Sequence, residues 1–130
     1  MKKGNYVDGF VLTVPKKNLA AYRKMAREGC EIWKKCGALD YKECVADDMD
    51  PDMGMGPNKA RRFPEMAKQK RGEVVIFSYI VYRSRAHRDQ VNAKVMKVME
   101  KEMAKQKKDA PMPFDVKRMA YGGFKVLVSM

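Results

Sequence analysis

The residues best suited to chemistry lie near the two ends of the chain. By strand alternation Asp8 shares a side with Tyr6, Phe10 and Leu12, so its carboxylate enters an apolar layer, where it needs a partner or a raised pKa. Two readings stand side by side: a carboxylate satisfied by backbone N–H groups or a nearby arginine, and a ligand-binding or general-base carboxylate in a closed cavity. Toward the other end Asp115, Arg118 and Tyr121 form the densest polar and aromatic constellation. An arginine beside a tyrosine can hold a carboxylate or an enolate, and equally Asp115 and Arg118, three residues apart, can simply pair with each other. With Tyr79 as a further polar handle, this set (Asp8, Tyr79, Asp115, Arg118, Tyr121) suits an acidic organic ligand. The chemistry open to it is cofactor-free proton abstraction or oxygen attack, because it offers a carboxylate and a cationic stabiliser but no nucleophile–base pair.

Other candidates are weaker. Cys30, Cys36 and Cys44 are spaced by six and eight residues, which fits neither the paired cysteines of a zinc site nor an even disulfide framework. Reduced, partly buried thiols are expected. The run Asp48-x-Asp50-x-Asp52 copies the start of a calcium loop, but the sixth position is Met53 and the twelfth is Lys59, where glycine and glutamate are required. His87, the single histidine, falls in the first turn of a helix between Arg85 and Arg88 and is expected to be exposed and unpartnered. No metal and no cofactor is expected. The net charge is +12, spread evenly over the two halves, which argues against a basic tail. A stretch with Arg61, Arg62, Lys68, Lys70 and Arg71 around Phe63 gives the alternative function, RNA or other polyanion binding through a basic surface, although it lacks the interleaved aromatics of a base-stacking platform.

The elements that must position these residues follow from pattern. Tyr6 to Val14 is a β-rich run ended by Pro15, which has no N–H to donate. Asn18 is placed to cap a helix with Leu19, Tyr22, Ala26, Cys30 and Trp33 at spacings of three and four, stopped by Gly37. Ala38 to Ala46 alternates loosely as a second strand. Residues 49 to 71 hold three prolines and two glycines before Gly72 with no sustained period and read as a long loop. Val74 to Tyr82 reads as a strand buried on both faces. Ser84 caps a second helix with Val91, Val95, Val98 and Met99 as its stripe, running to about Lys108. A final strand signal spans Arg118 to Val128, with Gly122 and Gly123 marking a bulge or close approach.

The resulting order is β-α-β-β-α-β, the ferredoxin-like split pattern of the α+β class: a four-stranded antiparallel sheet with both helices on one face, in a single domain over residues 1–130. The uncovered face is apolar enough for a second copy to cover it, so a homodimer is expected. No segment approaches the roughly 18 apolar residues of a membrane span, and the first residues carry no signal-peptide core. The reading is a soluble, cytoplasmic protein.

Particular words in the chain carry a resemblance. Tyr6-Val7-Asp8-Gly9-Phe10 followed by Val14-Pro15-Lys16, then Tyr22-Arg23-Lys24-Met25-Ala26, and the closing Met112-Pro113-Phe114-Asp115-x-Lys117-Arg118-Met119-x-Tyr121-Gly122-Gly123-Phe124 resemble the YbaA-like family of small bacterial proteins, a domain of unknown function. The resemblance covers essentially the whole chain and departs in the loop Met49 to Gly56. It implies a dimeric α+β barrel. That architecture serves cofactor-free monooxygenases, dehalogenating and decarboxylating enzymes and stress proteins alike, so the resemblance leaves the function open and supplies no catalytic residues.

Overall fold

The computed structural model describes residues 4–52, 54, 56, 57, 59–105 and 111–130, the side chains of 103–105 excepted. The chain runs β1 (Tyr6–Pro15), α1 (Leu19–Lys35), β2 (Asp40–Val45), α2 (Phe63–Met66), β3 (Glu73–Tyr82), α3 (Arg85–Lys105) and β4 (Ala120–Lys125). All neighbouring strands are antiparallel, in the order β2-β3-β1-β4. The central pair, β1 and β3, consists of the two most β-branched and aromatic runs, as the pleated half-buried surface favours.

Period two assigns the two faces of the sheet. Tyr6, Asp8, Phe10, Leu12 and Val14 of β1 stand beside Tyr82, Ile80, Ser78, Ile76 and Val74 of β3 and meet α1 and α3. Val91 and Val95 of α3 are almost wholly buried with Tyr6, Ile80 and Tyr82, while Tyr22 and Ala26 of α1 pack on Leu12, Val14 and Ile76. Each fully buried valine contributes about 1.5–3 kcal/mol relative to exposure. These are two separate apolar clusters, with Phe10 packed against both. The helices meet at one end, where Trp33 Nε1 lies 3.4 Å from Asn92 Oδ1 and Gly37 lies against Val91.

Gly37 ends α1 at φ 118°, as its freedom from a Cβ permits. Ser84 caps α3: its Oγ accepts the His87 N–H at 3.1 Å. Several expectations are corrected. Asn18 makes no side-chain cap; its Nδ2 instead donates to the Pro113 carbonyl at 3.1 Å, and a 3₁₀ turn (Lys16–Asn18) leads into α1. The loop from 49 to 71 contains α2, begun by Pro64 in its first turn and followed by Lys68 at φ 52°. β3 is not buried on both faces, since Phe77 is 44% exposed. The predicted end of the second helix near Lys108 lies outside the described residues. The two glycines of β4 form no bulge: Gly122 pairs with Gly9 and Gly123 with Asp8 in unbroken register. Of the two alternatives the close approach holds at Gly123, where an added Cβ would overlap Tyr6 Oη, whereas one at Gly122 would meet the Phe124 ring at an ordinary 3.9 Å.

His87 is the largest reversal. It is buried, its Nδ1 accepts the Arg83 N–H at 3.0 Å, and its ring stands edge-on to Tyr82. A position in the first turn looks solvated in the sequence, but here the turn folds back on the end of β3. Burial, with Arg83 nearby, holds its pKa below the ordinary value.

Candidate functional site

Between the sheet and the helices lies a cavity of about 430 Å³. Its floor is a row of cross-strand neighbours, Glu43, Ser78, Phe10 and Tyr121, one from each strand. The next row adds Tyr41, Ile80 and Asp8. Its roof comes from Tyr22, Met25 and Trp33 of α1 and Asn92, Val95 and Met96 of α3. Ser78 is the reason there is space here: a small residue at the centre of the floor stands between the two apolar clusters. The Phe10 and Tyr121 rings stack at 4.6 Å, and Met96 and Tyr121, each more than half exposed, form the rim.

Two carboxylates face this space. Asp8 is 1% exposed; its Oδ1 accepts from Arg88 Nη1 at 2.8 Å and its Oδ2 lies at a long 3.5 Å from Tyr121 Oη. Burial raises the Asp8 pKa, opposed by the Arg88 charge and by hydrogen bonds from tyrosines. Arg88 is itself held over the Tyr6 ring, 5.1 Å from its centroid. Gly123 admits Tyr6, Tyr6 supports Arg88, and Arg88 fixes Asp8. Glu43 accepts from Tyr22 Oη at 2.7 Å and from Tyr41 Oη at 2.8 Å. Burial and that carboxylate together push both phenols well above their usual pKa. The two carboxylates are two strands apart and offset by one row, so on the order of 10 Å separates them.

The five residues singled out in the sequence divide. Asp8 and Tyr121 line the cavity and approach each other. Tyr79 stands on the opposite face of the sheet beside Phe77. Arg118 is committed elsewhere: Nη1 and Nη2 donate to Glu73 at 2.6 and 2.9 Å, and Nη2 donates to the Lys68 carbonyl at 2.8 Å. That fork clasps the stretch after α2 to the start of β4. Asp115 accepts the Lys117 N–H and does not pair with the Arg118 side chain among the described residues. Arg62 of the basic stretch bonds the Met49 carbonyl and stands 3.9 Å from Glu65.

Glu43, Tyr22, Tyr41, Trp33 and Arg88 were missed. Glu43 had a signal, a carboxylate on the same side as Tyr41 and Val45 in the second strand. Arg88 had none, since a charged residue on the first turn of a helix reads as solvated.

The sheet, its layer of helices and the carboxylate-bearing space between them define a small α+β protein with a cavity open to solvent at the Met96–Tyr121 rim. The chain belongs to the family described as protein of unknown function (DUF1428), whose model matches residues 5–116. It is 40% identical over 123 residues to the uncharacterized protein YbaA of Escherichia coli (strain K12), covering 95% of this chain and 97% of that relative. The uncharacterized protein YbaA of Shigella flexneri matches to the same extent. Among the described residues no helix is long and apolar enough to cross a membrane, and no cluster of three or more metal-ligating side chains occurs.

Proposed function

We propose that this protein binds a small organic molecule in the cavity between sheet and helices, as a single-domain homodimer of the ferredoxin-like, dimeric α+β barrel kind. The observation that carries the binding reading is Asp8: an almost fully buried carboxylate with a weakly engaged second oxygen, facing about 430 Å³ of largely apolar space. A cavity of that volume with few convergent polar groups fits a molecule of modest size. The acidic ligand class expected from Arg118 loses its cation, because Arg118 is held by Glu73 and no lysine or arginine lines the cavity among the described residues. A molecule that donates hydrogen bonds to Asp8 is therefore favoured over one that presents an anion. Asp8 is also the lining group suited to proton transfer, since burial favours its neutral form.

The dimer rests on the other face of the sheet. Phe77 and Phe124 are 44% and 62% exposed there, with Val7 and Val11 half-buried between them. An apolar strip of this kind on an open sheet favours association, and the strand order β4-β1-β3-β2 supports the ferredoxin-like assignment.

Native mass spectrometry of the protein purified at low salt, beside Ser78→Phe, tests both parts. The expected result is a dimer carrying a discrete small-molecule mass per subunit that the cavity-filling variant lacks. A monomer would overturn the assembly, and equal retained mass in both proteins would overturn the cavity as the binding place.

A further inference from the structure

The end of the cavity between β2 and α1 has a composition of its own. Glu43 lies there with its two oxygens accepting from Tyr22 and Tyr41. Trp33 sits next to Tyr41, ring centroids 6.1 Å apart and planes at 55°, and Phe114 stands edge-on to Tyr22 at 5.6 Å. All five residues line the cavity. Two phenols thus hold the carboxylate and two further rings back them along the cavity wall, and the charge balance differs from that at Asp8. Asp8 is neutralised by Arg88 at 2.8 Å, whereas Glu43 pairs with no cation among the described residues. Two neutral phenols stabilise its charge without cancelling it, and about two of its roughly four lone-pair sites remain open.

From this juxtaposition we infer that the Glu43 end of the cavity holds the cationic head of an organic ammonium compound, an N-alkylated amine with an apolar or aromatic body. The inference rests on the cavity-binding reading and adds the charge and class of the occupant. Aromatic rings attract a poorly hydrated cation through their quadrupoles, and four of them line this end of the cavity. Glu43 supplies the net charge that selects the cation over a neutral molecule of the same shape. The remaining lining suits the body of such a ligand: Phe10, Leu12, Ile80 and Val95 are apolar, and the thioethers of Met25, Met96 and Met119 adapt to irregular shapes. At the far end, Asp8 Oδ2 is engaged only at the long 3.5 Å from Tyr121 Oη and has capacity to accept a donor from the body, so a ligand about 10 Å long would reach both carboxylates.

The test uses the isosteres phenyltrimethylammonium and tert-butylbenzene, with benzoate as the anionic probe. Trp33 is the single tryptophan, so its indole N–H gives one reporter resonance inside the site. The expected result is that phenyltrimethylammonium shifts this resonance at concentrations about tenfold or more below those tert-butylbenzene requires, with benzoate silent. Glu43→Gln removes that preference while retaining tert-butylbenzene binding. Equal response to the two isosteres, or a stronger response to benzoate, overturns the ammonium assignment and leaves the cavity reading standing. Silence toward all three overturns both. The wild-type comparison decides the matter whether or not Glu43→Gln folds, and Tyr41→Phe, which keeps the ring, is expected to retain the ammonium preference.

Discussion

Asp8 and Glu73 are both carboxylates paired with arginine, yet their environments push them in opposite directions. Around Asp8 burial prevails and its pKa is raised from the ordinary 3.8; around Glu73 the two hydrogen bonds from Arg118 prevail and its pKa is lowered from 4.5 to about 2. The linkage to stability has opposite signs. Glu73 contributes stability that is present above pH 4.5 and disappears as the pH falls through about 2. Asp8 contributes stability that is present below pH 3.8 and is lost as the pH rises through its raised folded value. Acid unfolding of wild type and Glu73→Gln separates them: the variant is expected to lack the loss of stability between pH 4.5 and 2, and parallel profiles would contradict the assignment. Gly123→Ala tests the chain of support behind Asp8. The new Cβ displaces Tyr6, for which overpacking of a filled core costs about 1–3 kcal/mol, and a denaturant melt should report that loss. The strand rhythm made Asp8 legible because period two ties it to Tyr6 and Phe10. It could not reveal Arg88, whose partner is 80 residues away in sequence, nor that Gly123 yields its space to the ring of Tyr6.

At the scale of elements, the start of α3 is fixed by a reciprocal pair of contacts. Ser84 Oγ accepts the His87 N–H, and His87 Nδ1 reaches back to accept the Arg83 N–H. Ser84→Ala is expected to cost about 1 kcal/mol, as loss of an N-cap does, and thermal unfolding would show it. The serine was readable in advance because capping depends on local spacing. The burial of His87 was not, because it depends on where the turn lands against Tyr82 and Gly37. The same division explains the other departures. Asn18 had the right type for a cap, but its amide found the Pro113 carbonyl, a contact spanning 95 residues. In the stretch from 49 to 71, prolines and glycines concealed a one-turn helix that forms with the help of packing on β3, where Phe63 lies 6.5 Å from Phe77. A helix of four residues has too little propensity to stand alone, so a pattern read along the chain does not register it.

For the whole molecule, four strands and two long helices in the sequence β-α-β-β-α-β were legible from hydrophobic period, and they form the four-stranded antiparallel sheet of an α+β protein. The cavity was not legible in this way. It exists because Ser78, Glu43 and Asp8, from three strands, fall into adjacent rows beneath helices that touch at one end and pack into separate clusters beyond it. No local pattern encodes such a meeting. The exposed Phe77 and Phe124 place the proposed dimer contact on the opposite face, so assembly and binding should be separable. Sedimentation of Phe124→Lys is expected to give a monomer that keeps its ligand affinity; an unchanged dimer would move the interface elsewhere. The central claim is the cavity itself, and a crystal of the protein soaked in 4-iodophenol tests it most directly. The account predicts an anomalous iodine peak between sheet and helices, with the phenol oxygen within hydrogen-bonding distance of Asp8 Oδ2. Iodine sites confined to the outer surface, with the space above Ser78 unfilled, would contradict it.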